Sequence, residues 1–259
     1  MTSSPSSIAE LRAATQPASL LQRPGAEHWA GRLYMRRLSP YVTRLLLATP
    51  LSASAVTALM IPAGLLAALS LSLPGLAAAT GAVLLAQSQL LLDCCDGEVA
   101  RWRRRFSLTG PYLDQIAHYA TEAALPAALG IRADGGWDSI GGWTALGLLV
   151  SALILLLKSE THLVEIARAR AGRQIAEERG DVDAPGGSPL RMREGVRLLP
   201  FLRPFQAIEA TLLALAAALA DVVAGGLAGS RVLLLLLVAG AIVAVLGHLF
   251  SILASDRLK

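Results

Sequence analysis

The sequence predicts an all-α integral membrane protein with six transmembrane helices and an N-terminal interfacial amphipathic helix. Three observations carry that prediction. The first is composition: 54% of the 259 residues are hydrophobic, mean hydropathy is +0.54 and only 16% are charged, well outside soluble globular usage. The second is a series of apolar stretches near residues 54–73, 75–93, 139–158, 205–224 and 231–253, each long enough to cross a hydrocarbon core of about 30 Å. A sixth, 110–131, is interrupted by Asp114, His118 and Glu122 and escapes hydropathy alone. The third is charge placement. Of 23 Lys and Arg, all but Arg132 and Arg231 fall on one side of the six-span path, which assigns both termini and that face to the cytoplasmic side of the cell (inner) membrane. The net charge of +4 is therefore a topological signal, and no nucleic-acid partner is expected.

Taken in order, residues 1–27 are rich in Ser, Ala and Pro, lack the apolar core of a cleavable signal peptide, and read as a disordered cytoplasmic tail. Residues 28–259 form the membrane domain. From His28 to Leu47, Trp29, Leu33, Tyr34, Met35 and Leu45 alternate with Arg32, Arg36, Arg37 and Arg44, the pattern of a helix lying in the interface, with Pro40 expected to break or bend it. The 159–203 segment is a cytoplasmic loop, charged at first and then Gly/Pro rich, too short for a second domain. Cys94 and Cys95 are adjacent, which suits neither a zinc site nor a relaxed disulfide; they read as small side chains packing a helix. The Leu, Ala and Gly rich later spans suit a homodimer interface.

The chemistry concentrates between Asp93 and His118. An acid at the centre of a spanning helix costs about 2.5 to 3.5 kcal/mol on the insertion scale, so several acids together imply a cavity or a metal. Asp93, Asp96, Gly97 and Ala100 stand at i, i+3, i+4 and i+7 and share a helix face. Gly110, Asp114, His118 and Glu122 are each four apart and form a second stripe, with Pro111 suited to the first turn of its helix. Facing one another, the stripes would assemble oxygen ligands with an imidazole beside them, a set that favours Mg²⁺ or Mn²⁺ over Zn²⁺. Gly97 and Ala100 leave space at the backbone, and Arg101 adds a fixed positive charge. Metal, space and guanidinium at a membrane surface point to phosphoryl chemistry on a diphosphate.

This run resembles the signature of the CDP-alcohol phosphotransferase (CDP-alcohol phosphatidyltransferase) family. There, Asp-x2-Asp-Gly-x2-Ala-Arg is followed after about eight residues by Gly-x3-Asp-x3-Asp, and seven of eight fixed positions match here: Asp93, Asp96, Gly97, Ala100, Arg101, Gly110 and Asp114. The resemblance implies transfer of a phospho-alcohol, here a phosphatidyl group, from a CDP-linked donor such as CDP-diacylglycerol to a hydroxyl acceptor, with release of CMP. It implies that Asp93, Asp96 and Asp114 ligate one or two Mg²⁺ or Mn²⁺ ions, that Gly97 and Ala100 make room for the nucleotide beside Gly110, and that Arg101 steadies the site or the donor phosphates. The family's last aspartate contacts a second metal and takes the acceptor proton. His118 stands in its place. An imidazole with an ordinary pKa of about 6.5 suits a general base but is a poorer Mg²⁺ ligand than oxygen, so the second metal site would be weakened, shifted toward Mn²⁺, or completed by Glu122. The expected function is phospholipid synthesis; the alternative is an impaired member that binds nucleotide or lipid and acts with a partner.

Acceptor recognition is assigned to the arginines before the fifth span, Arg191, Arg193, Arg197 and Arg203, with Thr57 and Lys158 as weaker candidates. His162, close to Glu165, and His248, in an apolar span, read as structural, and His28 goes with the interfacial helix.

Overall fold

The computed structural model describes residues 5–17, 28–172 and 203–254. Among them every regular element is helical: α1 (Ile8–Thr15), a π-helical turn (Gly31–Met35) running into α2 (Arg36–Leu47), α3 (Ala53–Ser72), α4 (Leu76–Arg103), α5 (Thr109–Asp134), α6 (Gly142–Arg170), α7 (Ala207–Ala224) and α8 (Ala228–Ala254), with short 3₁₀ turns at Trp137–Ser139 and Arg203–Phe205. Helices α3, α4, α6, α7 and α8 are long and apolar enough to cross a membrane. Helix α5 has 26 residues, about 39 Å at 1.5 Å per residue, but its polar stripe keeps it outside that group. The apolar runs end where backbone chemistry dictates. At the end of α7, Gly225 takes a left-handed φ of +67°, and after α5 the Gly135–Gly136 pair turns at φ +106° and +122°, conformations costly for any residue with a Cβ.

The chain divides into two compact units, Met1–Leu69 with Gly81–Thr121 and Ser70–Thr80 with Glu122–Lys259. In the first, the segment expected as a disordered tail carries α1 over its described part. Ser7 caps the helix by accepting from the Glu10 amide at 3.1 Å, while the Glu10 carboxylate accepts from the Ser6 hydroxyl at 2.5 Å and amide at 2.8 Å, a capping-box arrangement. Those Ser6 bonds hold the Glu10 carboxyl below its ordinary range. Leu11 and Thr15 are buried, and their burial supplies what eight residues of helix propensity cannot.

Pro40 does not break α2, contrary to expectation; it sits inside the helix. A proline leaves the carbonyl four residues earlier without its amide partner, and here the Arg36 carbonyl accepts instead from Gln16 Nε2 at 2.9 Å. The amphipathicity of α2 is inverted relative to a helix on a soluble protein. Ser39 and Thr43 are buried, whereas Leu38, Tyr41 and Leu45 are exposed, Leu45 by 71%. Their i, i+3, i+7 spacing lines them along one stripe, suited to a bilayer rather than to water. Further into the unit, Gln89 Nε2 donates to the Met60 carbonyl at 3.2 Å and to Thr121 Oγ1 at 2.8 Å, which ties α3, α4 and α5 together at one level. Gly64 admits that contact, because a Cβ there would run into Thr121 Oγ1.

In the second unit, α5 and α6 cross at Gly130 and Gly147. A Cβ on Gly130 would lie 2.6 Å from the Trp143 carbonyl oxygen, and one on Gly147 would run into that of Pro126. Small residues at such a crossing let backbones approach in lipid, where packing rather than water exclusion drives helix association. Gly147→Ala must therefore move backbone, and a loss of about 2 kcal/mol is expected, read as a lower unfolding midpoint in detergent. An unchanged midpoint would show that the crossing relaxes freely. Ser151 Oγ reinforces the crossing by donating to the Ala123 carbonyl at 2.5 Å.

Candidate active site

The C-terminal part of α4 lines a cavity along one face. Asp93, Asp96, Gly97 and Ala100 all line a cavity of about 900 Å³, joined by Gly110 and Asp114 from α5 and by Ser54 and Thr57 from α3. Helical periodicity puts the first four on one stripe, and the small side chains at 97, 100 and 110 keep the floor open. At Gly110 an added Cβ would find only Ser54 Oγ, at 3.9 Å.

Beside the cavity, which Asp93 and Asp114 line, one ligand atom each from Asp93, Asp114 and His118 lie within 4.8 Å of one another, a separation that a single cation can bridge. Asp114 Oδ1 is buried and has no hydrogen-bond partner, with His118 Nε2 standing 3.3 Å away. An orphaned, buried carboxylate oxygen is costly unless something positive meets it. The donor set of two carboxylates and an imidazole fits a Mg²⁺ or Mn²⁺ ion, the softer imidazole favouring Mn²⁺.

Not every expected site residue joins this group. Asp96 lies one turn along α4, and its Oδ2 accepts from Thr57 Oγ1 at 2.5 Å; Thr57, expected as a minor acceptor contact, thus orients an acid. Glu122, considered as a supplementary ligand, is held by Lys158 Nζ at 2.9 Å, and the same bond engages Lys158. Arg101 is not among the cavity-lining residues. Its Nε donates to the Thr15 carbonyl at 2.5 Å, and its guanidinium packs against Gly97, where a Cβ would meet Nη1 at 3.0 Å and Nη2 at 3.1 Å. Gly97 therefore makes room for this guanidinium as well as for the cavity.

Arg103 and Arg105 line the cavity instead, although sequence reasoning used them only for topology. Arg103 is bound to the carbonyls of Thr49, at 2.8 Å, and Leu51, and so shapes the rim by fixing the link between α2 and α3. Arg105 is exposed. Arg203 opens the 3₁₀ turn Arg203–Phe205, while Arg191, Arg193 and Arg197 lie outside the described residues. His162 and His248 pair with Glu165 and Glu160 at 3.2 and 2.9 Å. Cys94 and Cys95 are buried and free.

Sequence reasoning missed Glu98. It is wholly buried, and its carboxylate accepts from Ser39 Oγ at 2.5 Å, Thr43 Oγ1 at 2.7 Å and Gln16 Nε2 at 2.8 Å. The signal was present: Glu98 is a third acid in the same apolar helix, and Ser39 and Thr43 stand four apart on a single face of α2. A carboxylate buried at this depth is tolerated only when its lone pairs are filled.

Beyond geometry, the family model described as CDP-alcohol phosphatidyltransferase matches residues 46–252, which takes in α3 to α8. No curated protein matches the chain.

Proposed function

The chain belongs to the CDP-alcohol phosphatidyltransferase family, whose members transfer a phospho-alcohol group from a CDP-alcohol, and from that premise we propose that it moves a phosphatidyl group from CDP-diacylglycerol to a hydroxyl acceptor in phospholipid synthesis, releasing CMP. The observation that carries this reading is the convergence of Asp93, Asp114 and His118 within 4.8 Å, with Asp93 and Asp114 lining one large cavity. Asp93 and Asp114, with Asp96 beside them, would hold one or two Mg²⁺ or Mn²⁺ ions, which when bound neutralise charge on the diphosphate.

The protein's own groups do the rest. The open floor at Gly97, Ala100 and Gly110 admits the cytidine nucleotide, and Thr57 fixes the Asp96 carboxylate by its hydrogen bond. The acceptor hydroxyl attacks the phosphorus that carries the diacylglycerol. Its oxygen forms the new P–O bond, the bond to the CMP oxygen breaks, and CMP leaves as the phosphate anion. The hydroxyl proton passes to His118 Nε2, where the Asp114 carboxylate 3.3 Å away stabilises the imidazolium. Both termini and this site are assigned to the cytoplasmic side.

The test is CMP release by the purified protein in nanodiscs with Mg²⁺ or Mn²⁺, CDP-diacylglycerol, and a panel of acceptors comprising inositol phosphate, glycerol phosphate, serine and inositol. Metal-dependent release that chelation with EDTA abolishes is expected, and the active acceptor names the product. No release with this donor or with soluble CDP-alcohols, despite CDP binding, would overturn the reading in favour of an impaired homologue that acts with a partner.

A further inference from the structure

Residues on α4 belong to two different environments. Asp93, Asp96, Gly97 and Ala100 face the cavity, whereas Glu98, two residues past Asp96 and so about 200° round the helix, faces the N-terminal segment. There it is filled by Gln16, Ser39 and Thr43. Three residues on, Arg101 turns toward the same segment and donates from Nε to the carbonyl of Thr15, 86 positions away in sequence. Two consecutive residues, Thr15 and Gln16, thereby hold two side chains of the motif helix. Gln16 is itself anchored, its Nε2 lying 2.9 Å from the Arg36 carbonyl that Pro40 leaves without an amide partner. All of α1 and Gln16 lie before residue 46, where the family match begins.

An arginine side chain has four rotatable bonds and large rotamer entropy. The Asp96 and Glu98 carboxylates of α4 attract this guanidinium without fixing its direction, and the bond to the Thr15 carbonyl adds a directional tie. We propose that α1 and Gln16 form a brace that, with Glu98 as its seat, holds the Arg101 guanidinium at the cavity edge beside Gly97 to meet the phosphates of the CDP-linked donor. Gln16 and Glu98 are then positioning residues for donor binding, acting through Arg101. This rests on the transferase reading above.

The test uses the full chain in nanodiscs with CMP release for kinetics, CDP titration with Mn²⁺ for binding, and a thermal midpoint for stability. Gln16→Ala should raise the donor KM and the CDP Kd about fivefold, the worth of one hydrogen bond between Arg101 and the donor phosphates, with kcat changed less than about twofold, because a contact made equally to bound donor and transition state acts on binding. Arg101→Lys lacks the Nε donor, so adding Gln16→Ala to it should cost less than about twofold more. Glu98→Gln, which keeps shape and an acceptor oxygen, should retain near wild-type CDP affinity where Glu98→Ala does not. A lower thermal midpoint for Gln16→Ala with CDP Kd and donor KM unchanged would overturn the brace, as would an equal fivefold loss in both backgrounds. If the wild type binds CDP but turns over no donor, the transferase reading fails while the binding arm still decides the brace; no CDP binding at all would overturn both.

Discussion

Asp114→Asn is expected to lower CMP release by about a thousandfold with little loss of folding stability. The substitution keeps the size of the side chain and removes the charge from a carboxylate whose Oδ1 is, among the described residues, the one buried carboxylate oxygen with no hydrogen-bond partner. A ligand that neutralises developing phosphate charge contributes several kcal/mol to the transition state, and about 4 kcal/mol corresponds to a thousandfold in rate. In the metal-free protein the same change relieves repulsion from Asp93, whose ligand atom lies within 4.8 Å, so the unfolding midpoint should hold or rise. Steady-state CMP release and Mn²⁺ binding by electron paramagnetic resonance check both halves. A variant that keeps more than a tenth of the wild-type rate would remove Asp114 from the metal site.

The second large effect is at His118. His118→Ala should reduce kcat by about 10² to 10⁴, the usual contribution of a positioned base, while donor KM and Mn²⁺ affinity move by less than about threefold. His118→Asp should recover most of that loss, since a carboxylate at the same position reaches the same hydroxyl and is what the family signature carries there. The geometry makes this more than a motif argument. His118 Nε2 lies 3.3 Å from Asp114 Oδ1, so a proton arriving there is met by the Asp114 carboxylate. If Mn²⁺ affinity fell in step with kcat, the imidazole would be a ligand rather than the base. If His118→Ala kept full activity, the proton would have to leave by another route.

Both predictions rest on residues legible in the sequence, and for one physical reason. Helix geometry alone puts Asp93, Asp96, Gly97 and Ala100 on one face and Gly110, Asp114 and His118 on another, and no knowledge of neighbouring helices is needed. The apolar runs behind α3, α4, α6, α7 and α8 were equally plain, and the polar stripe of α5 was expected to hide that helix from hydropathy. Residue types likewise announced phosphoryl chemistry, since acids in an apolar helix demand a cation.

What the sequence could not decide was which of several plausible partners each side chain would choose. Asp96 and Asp93 are equivalent in the motif, yet only Asp93 joins Asp114 and His118, because α3 presents Thr57 to Asp96. Glu122 continues the α5 stripe on paper, yet Lys158 of α6 holds it. Arg101 was expected to steady the site or the donor phosphates, and the bond from its Nε to the Thr15 carbonyl is one no local pattern announced. Glu98 stood out as an acid in an apolar helix, but its donors come from residues 55 to 82 positions away, so no local pattern named them. Sequence by itself determined the membrane setting and the helical stripes, which follow from local periodicity and the cost of charge in lipid, and its motif carried the family resemblance that implies the reaction class. Tertiary structure alone decided which acids come together and where the arginines point, because those choices depend on contacts between helices that no local pattern encodes.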